Sequence, residues 1–251
     1  MSGGWLAIAG LGPGDETLIT PEVSAALAEA TDIVGYSPYV ARVARRDGLH
    51  LHASDNRVEL DRARHALRMA QAGRRVVVVS SGDPGVFAMA AAVFEAVEAG
   101  PRDCCDLEIR VLPGITAMLA AAARAGAPLG HDFCAINLSD NLKPWALIEA
   151  RLRLAAQADF AMAFYNPRSR ARPEGFARAL DVLRESCADA RPVIFARAVS
   201  TPQETLRVVP LPEARPEMAD MRTMVIVGSS KTRVLPRSGG TPWVYTPRSV
   251  P

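Results

Sequence analysis

The chain has 251 residues, of which 49% are apolar and 22% are charged, and its formal net charge is +2. This length is enough for one large domain or two ordinary domains with a substantial core. The charge balance lacks the basic excess that is typical of proteins that bind nucleic acid. The cysteines show no C-x-x-C spacing and no neighbouring histidine pair, which argues against a zinc site and an iron–sulfur cluster.

The cysteines and the N-terminus both bear on localisation. Cys104, Cys105, Cys134 and Cys187 are interpreted as reduced thiols, which predicts a cytoplasmic protein. The first residues, MSGGWLAIAGLGPGD, contain no basic segment, and glycines interrupt their apolar run. We therefore expect neither a secretion signal nor a membrane span.

Short strand candidates alternate with helix candidates in the first half of the chain. The strand candidates are WLAIAGL (5–11), DIVGY (32–36), VVVVS (76–80) and LEIRVL (107–112). This alternation predicts an α/β unit with a parallel sheet. Thr20 and Pro21 predict a helix start, because a threonine hydroxyl can cap the helix and proline suits its first position.

A second long helix is predicted to begin at Asn56 and Glu59. Its apolar residues fall on one face, and Arg62, Arg64 and Arg68 lie elsewhere. The pattern predicts that these three arginines form a solvated face.

The second half of the chain contains a further set of strands. They are predicted at 133–139, 159–165, 193–199, 204–209 and 223–229, with helices around 145–156 and 174–187. The strands at 193–199 and 204–209 are joined by a short turn, which indicates an antiparallel hairpin and a mixed sheet.

We predict an α/β fold with two lobes, the first with a mainly parallel sheet and the second with a mixed sheet. The lobes are expected at 1–113 and 114–231. Residues 232–251 are rich in proline, glycine and arginine, and we expect them to form a flexible tail.

Three strand ends carry glycine-rich loops: the first loop is GLGPGD (10–15), the second SSGDPG (80–85) and the third PGITA (113–117). Ligands of open α/β sheets gather at the carboxyl ends of strands. The first loop lacks the third glycine of a dinucleotide fingerprint, and Pro13 removes an N–H group that a pyrophosphate would use. A turn that only lets two backbones approach is an equal alternative for this loop.

The second loop contains a carboxylate, Asp83, which would repel a phosphate. It suits a ligand with hydroxyls, an ammonium group and an uncharged base. The alternative is that Asp83 caps a helix that begins near Val86. In the third loop, the alternatives to a ligand-binding role are that Thr116 is a helix cap and that Ala117 is a packing residue.

The ordered set G-x-G-P-G-D, S-G-D-P-G and P-G-I-T-A closely resembles the tetrapyrrole (corrin/porphyrin) methyltransferase family, over residues 5–230. The resemblance implies an enzyme that uses S-adenosylmethionine and forms a homodimer. It places the methyl donor in the cleft between the lobes and the tetrapyrrole in an adjoining trough. We expect no metal or iron–sulfur cluster, and no nucleic-acid or membrane partner.

Position by position, the resemblance assigns a set of residues to the donor site. They are Pro13, Ser81, Gly82, Asp83, Val86, Thr116, Ala117, Asn166, Thr223 and Met224. Asn166 stands where relatives commonly have a methionine, and the last pair matches a segment that meets the adenine. Because a sulfonium already activates the methyl group, the transfer needs positioning and desolvation rather than a metal.

Two stretches, 126–145 and 164–176, resemble the branch that methylates carbon 17 of precorrin-3B and contracts the macrocycle during cobalamin synthesis. Some members of this branch carry a cysteine-rich extension that binds an iron–sulfur cluster, and this sequence lacks that extension. The difference favours the short form of the oxygen-dependent, cobalt-free route.

The resemblance also suggests residues for substrate binding and for ring contraction. Arg168 and Ser139 are the candidates for substrate binding, since precorrins carry many carboxylates. Arg170 and Arg172 are equally well explained as solvated residues. Contraction removes a proton from the hydroxyl on carbon 20, and the candidates for this base are His131, Asp140 and Asp15. For His131, a turn or packing role is the alternative.

Other functions share some of these signals. A nicotinamide-dependent oxidoreductase would need a third glycine and an acidic residue after the second strand, which ends in Gly35-Tyr36-Ser37-Pro38. A non-catalytic nucleotide-binding module is a further alternative. Within the family, a methylase of carbon 11 or carbon 20, or a diphthine synthase, would share the donor loops.

Overall fold

The computed structural model describes residues 3–55, 58–187 and 190–249. It divides into two compact units, Met1–Thr116 and Ala117–Pro251. The first unit ends three residues beyond the boundary expected from the sequence, so the third loop lies almost wholly within it. None of the helices in the described ranges is long and apolar enough to cross a membrane.

The first unit contains a five-stranded sheet in the order β3-β2-β4-β1-β5, in which every pair of neighbours is parallel. Its elements are β1 (Trp5–Gly10), α1 (Pro21–Glu29), β2 (Asp32–Tyr36), α2 (Ser37–Val40), β3 (His50–Ser54), α3 (Glu59–Gln71), β4 (Arg75–Ser80), α4 (Met89–Glu98) and β5 (Glu108–Leu112). The Thr20 hydroxyl accepts a hydrogen bond from the Val23 amide at 3.3 Å, which confirms the predicted start of α1. Asn56, the predicted start of α3, lies outside the described residues.

Apolar residues cover both faces of this sheet. Leu6 and Val78 pack with residues of α3 and α4, whereas Ala7 and Val77 pack on the other face with residues of α1. A strand that is buried on both faces has no polar alternation. This explains the run of four valines at 76–79.

Arg62 corrects one expectation from the sequence, because it is only 5% exposed. Its guanidinium donates to the hydroxyl of Ser54 at 2.9 Å and to the carbonyl of Asp55 at 2.6 Å. Arg64 and Arg68 are exposed, as predicted. The buried arginine therefore ties α3 to the end of β3, and burial lowers its pKa.

The second unit contains a mixed five-stranded sheet in the order β10-β9-β11-β8-β7. Its elements are α5 (Ala117–Ala125), β6 (Gly126–Ala127), β7 (Phe133–Asn137), α6 (Trp145–Gln157), β8 (Ala161–Tyr165), α7 (Gly175–Ser186), β9 (Pro192–Arg197), β10 (Thr205–Pro210), β11 (Thr223–Val227), β12 (Arg233–Leu235) and β13 (Trp243–Tyr245). The strands β7 and β8 are parallel, and the other neighbours are antiparallel. The predicted hairpin and mixed sheet are confirmed.

Helices α6 and α7 cover one face of this second sheet. Ile148 and Leu152 of α6 and Phe176 and Leu180 of α7 form one buried cluster with Phe164 of β8. These five residues are among the largest fully buried side chains of the described structure.

The segment from Thr232, which we expected to be a flexible tail, contains two strands. β12 pairs with β13, and β13 pairs with β6. Val244 is fully buried, and the Thr246 hydroxyl donates to the carbonyl of Pro128 at 2.6 Å. The apolar and β-branched residues at 243–246 thus give this segment a packed position despite its proline and glycine content.

Candidate active site

The first and second loops lie side by side at the carboxyl edge of the first sheet. The Gly82 amide donates to the carbonyl of Gly12 at 2.9 Å, and the Gly12 amide donates to the carbonyl of Gly82 at 3.2 Å. Both residues have a left-handed backbone, with φ values of +65° for Gly12 and +63° for Gly82, which favours glycine. These glycines let the two backbones approach each other, which is the alternative role that the sequence analysis gave to the first loop.

The third loop joins them through Gly114. A Cβ atom at Gly114 would meet the carbonyl oxygen of Gly82, and it would lie 2.7 Å from that of Gly10. Each loop therefore contributes a glycine to one tightly packed point. The structure brings together the three loops that the sequence singled out.

Asp83 links the second and third loops through its carboxylate. One carboxylate oxygen accepts from the Gly85 amide at 2.8 Å, and the other accepts from the Gly114 amide at 3.1 Å. Helix α4 begins only at Met89 and has no side-chain cap. The cap alternative for Asp83 is therefore wrong, since its partners belong to the loops.

The other predicted donor-site residues of the first unit lie on or beside these loops. Pro13, Ser81 and Val86 are half-buried, and Thr116 is 6% exposed. Asp15 is exposed and accepts hydrogen bonds from the amide and the hydroxyl of Thr17, at 2.8 and 2.7 Å. Asp15 therefore caps a short 3-10 helix after the first loop.

Arg42 is a functional candidate that the sequence analysis missed. Its guanidinium donates to three carbonyls of the first loop: Leu11 at 2.5 Å, Gly12 at 3.2 Å and Gly14 at 3.2 Å. Burial lowers the pKa of Arg42. No local signal marks this residue, because only the position of β2 in the sheet brings the following segment to the first loop.

Several predicted residues of the second unit meet at one edge of the second sheet. In the parallel pair β7 and β8, Asn137 lies opposite Tyr165, and Asn166 follows directly. In the antiparallel pair β8 and β11, Val225 lies opposite Phe164. The register therefore places Met224 and Thr223 next to the end of β8. Ala117, the remaining predicted donor-site residue of this unit, is the first residue of α5.

Asn137 was not predicted, but it contacts two predicted residues. Its side-chain oxygen accepts from the Ser139 amide at 2.9 Å and from the Asn166 side-chain amide at 3.1 Å. Lys143 donates from Nζ to the carbonyl of Ser139 at 3.1 Å. The backbone of Ser139 is thus held on both sides. A lone asparagine at a strand end gives no distinguishing sequence signal.

The hydroxyl of Thr223 has a partner within its own loop. It donates to the Asp220 carboxylate at 2.8 Å and accepts from the Asp220 amide at 3.0 Å. Burial raises the pKa of Asp220, but hydrogen bonds from Arg197 and Thr223 outweigh burial, and the pKa is lowered. Thr223 and Met224 are both buried. Thr223 therefore contributes a fixed surface rather than a mobile hydroxyl.

Three residues other than glycine have a left-handed backbone near this edge. They are Asn166, Ala198 and Ser200, with φ values of +52°, +50° and +61°. The Ser200 amide donates to the Glu204 carboxylate at 2.6 Å, which holds the turn after β9. Backbone strain of this kind is concentrated at functional sites.

The catalytic candidates of the second unit lie at opposite ends of β7. His131 precedes the strand, and its Nδ1 accepts from the Asp132 amide at 2.7 Å. Asp140 follows the strand on the same side as Ser139. A five-residue strand spans roughly 17 Å, so the structure does not bring His131 and Asp140 together.

A cavity of about 230 Å³ lies beside Asp140 in the second unit. Its walls include Trp145, Arg172 and Arg178, and the guanidinium of Arg178 lies 4.5 Å from the centre of the Trp145 ring. Ser169 and Arg172 exchange backbone hydrogen bonds at 3.1 and 3.3 Å, which fixes the arginine-rich turn. Arg168 is half-buried in this turn.

The parallel sheet, the mixed sheet and the three glycine loops together define a class of protein. A family model described as Tetrapyrrole (Corrin/Porphyrin) Methylases matches residues 6–215, and the chain belongs to this family. It is 54% identical over 245 residues to the precorrin-3B C(17)-methyltransferase of Sinorhizobium sp, with 98% of this chain and 96% of that protein covered. It is also 69% identical to the methyltransferase CobJ, whose crystal structure superposes with a TM-score of 0.93 and covers 97% of this chain and 100% of that chain.

A third relative is longer than this chain. The cobalamin biosynthesis protein CobIJ of Mycobacterium tuberculosis is 47% identical over 252 residues, and the match spans 49% of its length. The chain therefore corresponds to about half of that protein.

The comparisons confirm the predicted family and the predicted α/β fold with parallel and mixed sheets. The predicted methyltransferase class is confirmed as well. They do not favour the nicotinamide-dependent oxidoreductase or the sister methylases. The residue assignments within the site remain predictions. Among the described residues, no group of three or more His, Cys, Asp and Glu side chains is arranged to hold a metal ion.

Proposed function

We propose that this protein transfers the methyl group of S-adenosylmethionine to carbon 17 of precorrin-3B and contracts the macrocycle to precorrin-4. This reaction is a step in the biosynthesis of cobalamin. One observation carries the proposal: the 54% identity to a relative named for this activity extends over 98% of the chain and 96% of the relative.

On the strength of the family resemblance, the donor is proposed to contact the residues that the sequence analysis assigned to it. The residues in contact would be Pro13, Ser81, Gly82, Asp83, Val86, Thr116, Ala117, Asn166, Thr223 and Met224. The glycines allow backbone groups to approach a ligand closely, and Asp83 supplies a negative charge that suits an ammonium or a ribose hydroxyl. Because the bound donor supplies an activated methyl group, these residues need only to orient it and exclude water.

The substrate is proposed to contact the loops that follow β7 and β8. Precorrin carboxylates suit Arg168 and the Ser139 hydroxyl, and Arg172 offers a further cation on the cavity wall. Asp140 is the preferred candidate for the base of ring contraction, because it lines the same cavity and directly follows Ser139. His131 lies at the opposite end of β7, and the carboxylate of Asp15 already caps a short 3-10 helix.

The direct test is incubation of the protein with S-adenosylmethionine and precorrin-3B, followed by mass spectrometry of the product. We expect formation of precorrin-4 and S-adenosylhomocysteine. In single-turnover assays, Asp140→Asn should slow contraction more than methylation, whereas the matched variant His131→Gln should leave both rates unchanged. Equal rates in the Asp140→Asn variant and the wild type would remove Asp140 as the base.

Cobalt-factor III is a second candidate substrate. The chain is 40% identical over 248 residues to a probable cobalt-factor III C(17)-methyltransferase of Salmonella typhimurium, with 96% of this chain and 99% of that protein covered. The higher identity to the precorrin-3B relative favours the cobalt-free substrate. We expect kcat/KM for precorrin-3B to be at least about tenfold higher, which corresponds to 1.4 kcal/mol. If kcat/KM were instead higher for cobalt-factor III, cobalt-factor III would replace precorrin-3B as the proposed substrate.

We also propose that the enzyme works as a homodimer in the cytoplasm. The family resemblance supports the dimer, and the free thiols of Cys104, Cys105, Cys134 and Cys187 suit a reducing compartment. Light scattering should give twice the chain mass of 26.8 kDa. A monomeric mass at micromolar concentration would contradict the dimer.

A further inference from the structure

Asn137 occupies a central position among the polar groups at the edge of the second sheet. Its single side-chain oxygen accepts two hydrogen bonds, from the Ser139 amide at 2.9 Å and from the Asn166 side-chain amide at 3.1 Å. The Leu138 amide also donates to the carbonyl of Tyr165 at 3.0 Å, which extends the contact between β7 and β8. The backbones that carry the two asparagines are therefore held together independently of their side chains.

The hydrogen-bond chemistry fixes the orientation of both amides. A backbone N–H can only donate, so the atom of Asn137 that faces Ser139 must be its oxygen. The same oxygen faces Asn166, which must therefore present its NH₂ group to Asn137. The side-chain oxygen of Asn166 makes no hydrogen bond within the described ranges of the chain and stays available as an acceptor.

The backbone of Asn166 adds to this constraint. Its φ of +52° lies in the left-handed region, which asparagine tolerates better than most residues. Lys143 holds the carbonyl of Ser139 while Asn137 holds its amide. Asn137 is thus the shared partner of a residue assigned to the methyl donor and of a residue assigned to the substrate.

We propose that Asn137 is a positioning residue for methyl transfer. Its oxygen orients the Asn166 amide so that Asn166 presents an acceptor to an ammonium or hydroxyl group of the methyl donor, and it holds the Ser139 loop for the tetrapyrrole. This inference rests on the proposed function, because the assignments of Asn166 and Ser139 come from it.

The test compares Asn137→Ala with Asn137→Asp. A carboxylate accepts hydrogen bonds from both the Ser139 amide and the Asn166 amide, so aspartate keeps the positioning role and alanine loses it. We expect Asn137→Ala to weaken S-adenosylmethionine binding about tenfold in calorimetry and to raise KM for precorrin-3B. Asn137→Asp should stay within about threefold of the wild type for both. Asn141→Ala is the matched control on the same loop and should change neither.

A double-mutant cycle with Asn166→Ala separates positioning from a general loss of structure. If Asn137 acts through Asn166, replacing Asn137 by alanine should have no further effect on donor affinity in the Asn166→Ala background. Additive losses of donor affinity would overturn the proposal. Donor affinity in Asn137→Asp about tenfold weaker than in the wild type would overturn it too, and this comparison needs no folded alanine variant.

A failure of the proposal for Asn137 can be distinguished from a failure of the proposed function. Donor affinity is measured without any tetrapyrrole, so it tests Asn137 whichever macrocycle is methylated. A wild-type protein that binds S-adenosylmethionine but leaves precorrin-3B unmethylated would refute the proposed substrate alone. A wild-type protein that does not bind the donor would refute both.

Discussion

Asp83 shows what a single residue contributes to the donor loops. Its position after a buried strand is visible in the sequence, and so is its unsuitability for a phosphate. Its partners are not visible, because the Gly114 amide is brought to it by the pairing of β1 with both β4 and β5. The carboxylate joins two loops and retains lone pairs for a ligand, since within the described ranges each oxygen accepts one hydrogen bond.

The first prediction concerns Asp83→Asn. An amide keeps only one acceptor oxygen, so its NH₂ group must face the amide of either Gly85 or Gly114. We expect the loops to separate locally and donor affinity to fall by about tenfold or more, as measured by calorimetry. Asp61→Asn, on the exposed face of α3, is the control. Unchanged donor affinity in Asp83→Asn would remove the residue from the site.

The second prediction concerns Arg42→Lys. The planar guanidinium of arginine reaches three carbonyls of the first loop, whereas the ammonium of lysine is a single point on a flexible chain. The substitution should weaken donor binding about three- to tenfold and leave the thermal midpoint nearly unchanged. A matched substitution, Arg64→Lys on the exposed face of α3, should have no effect. Wild-type affinity in Arg42→Lys would show that the loop holds its shape without these contacts.

At the scale of elements, each of three parallel strands delivers one glycine to the same point. The third prediction follows from this packing: a side chain at Gly114 would overlap the carbonyls of Gly10 and Gly82. We expect Gly114→Ala to lower the free energy of unfolding by about 1–3 kcal/mol in urea titrations and to reduce donor affinity. Gly3→Ala, where a Cβ atom meets nothing within 4 Å, is the control. Equal stability of the two variants would contradict the proposed close packing.

The fourth prediction concerns the other end of the first sheet, where Asp32 links three strands. Its buried carboxylate accepts from Arg74 before β4, at 2.7 and 2.9 Å, and contacts His52 of β3 at 2.9 Å. Burial raises the pKa of Asp32, but hydrogen bonds from Arg74, Thr31 and His52 outweigh burial and lower the pKa to about 2. A lowered pKa stabilises the fold when the carboxylate is ionised.

Asp32→Asn should therefore destabilise the protein by about 1–2 kcal/mol near neutral pH, a figure reduced because Arg74 is partly exposed. The stabilisation is complete above pH about 4, the ordinary pKa, and is lost as the pH falls through about 2. Urea titrations of both proteins across this range provide the measurement. A stability difference that persisted unchanged at the acid end would contradict the role of the ionised carboxylate.

For the whole molecule, the sequence predicts the sheets and the loops better than it predicts the contacts between them. Valine- and isoleucine-rich strands were placed to within a few residues, because burial on both faces leaves an uninterrupted apolar pattern. The strand β3 is not among the predicted strands, because HLHAS alternates polar and apolar residues but contains no β-branched or aromatic strand former. The strands at 233–235 and 243–245 were also missed, because proline and glycine dominate the composition there.

The unpredicted site residues have a common physical cause. Asn137 and Asn166 are 29 positions apart, and Arg42 lies 28 positions from Gly14. Such contacts depend on which strands are neighbours in a sheet, and local sequence patterns do not encode that order. The three loops were found because each carries its own glycine and proline signals. The residues that contact these loops and strand ends, such as Arg42 and Asn137, can be identified only once the strand order is known.

The central claim is methylation of carbon 17 with ring contraction, and one measurement tests it most directly. The protein is incubated with precorrin-3B and S-adenosylmethionine that carries ¹³C in its transferable methyl group, and the product is examined by NMR. We predict a single new labelled methyl group on carbon 17 and an acetyl substituent derived from the expelled carbon 20. A labelled methyl group on another carbon, or a macrocycle that keeps carbon 20 in the ring, would contradict the account.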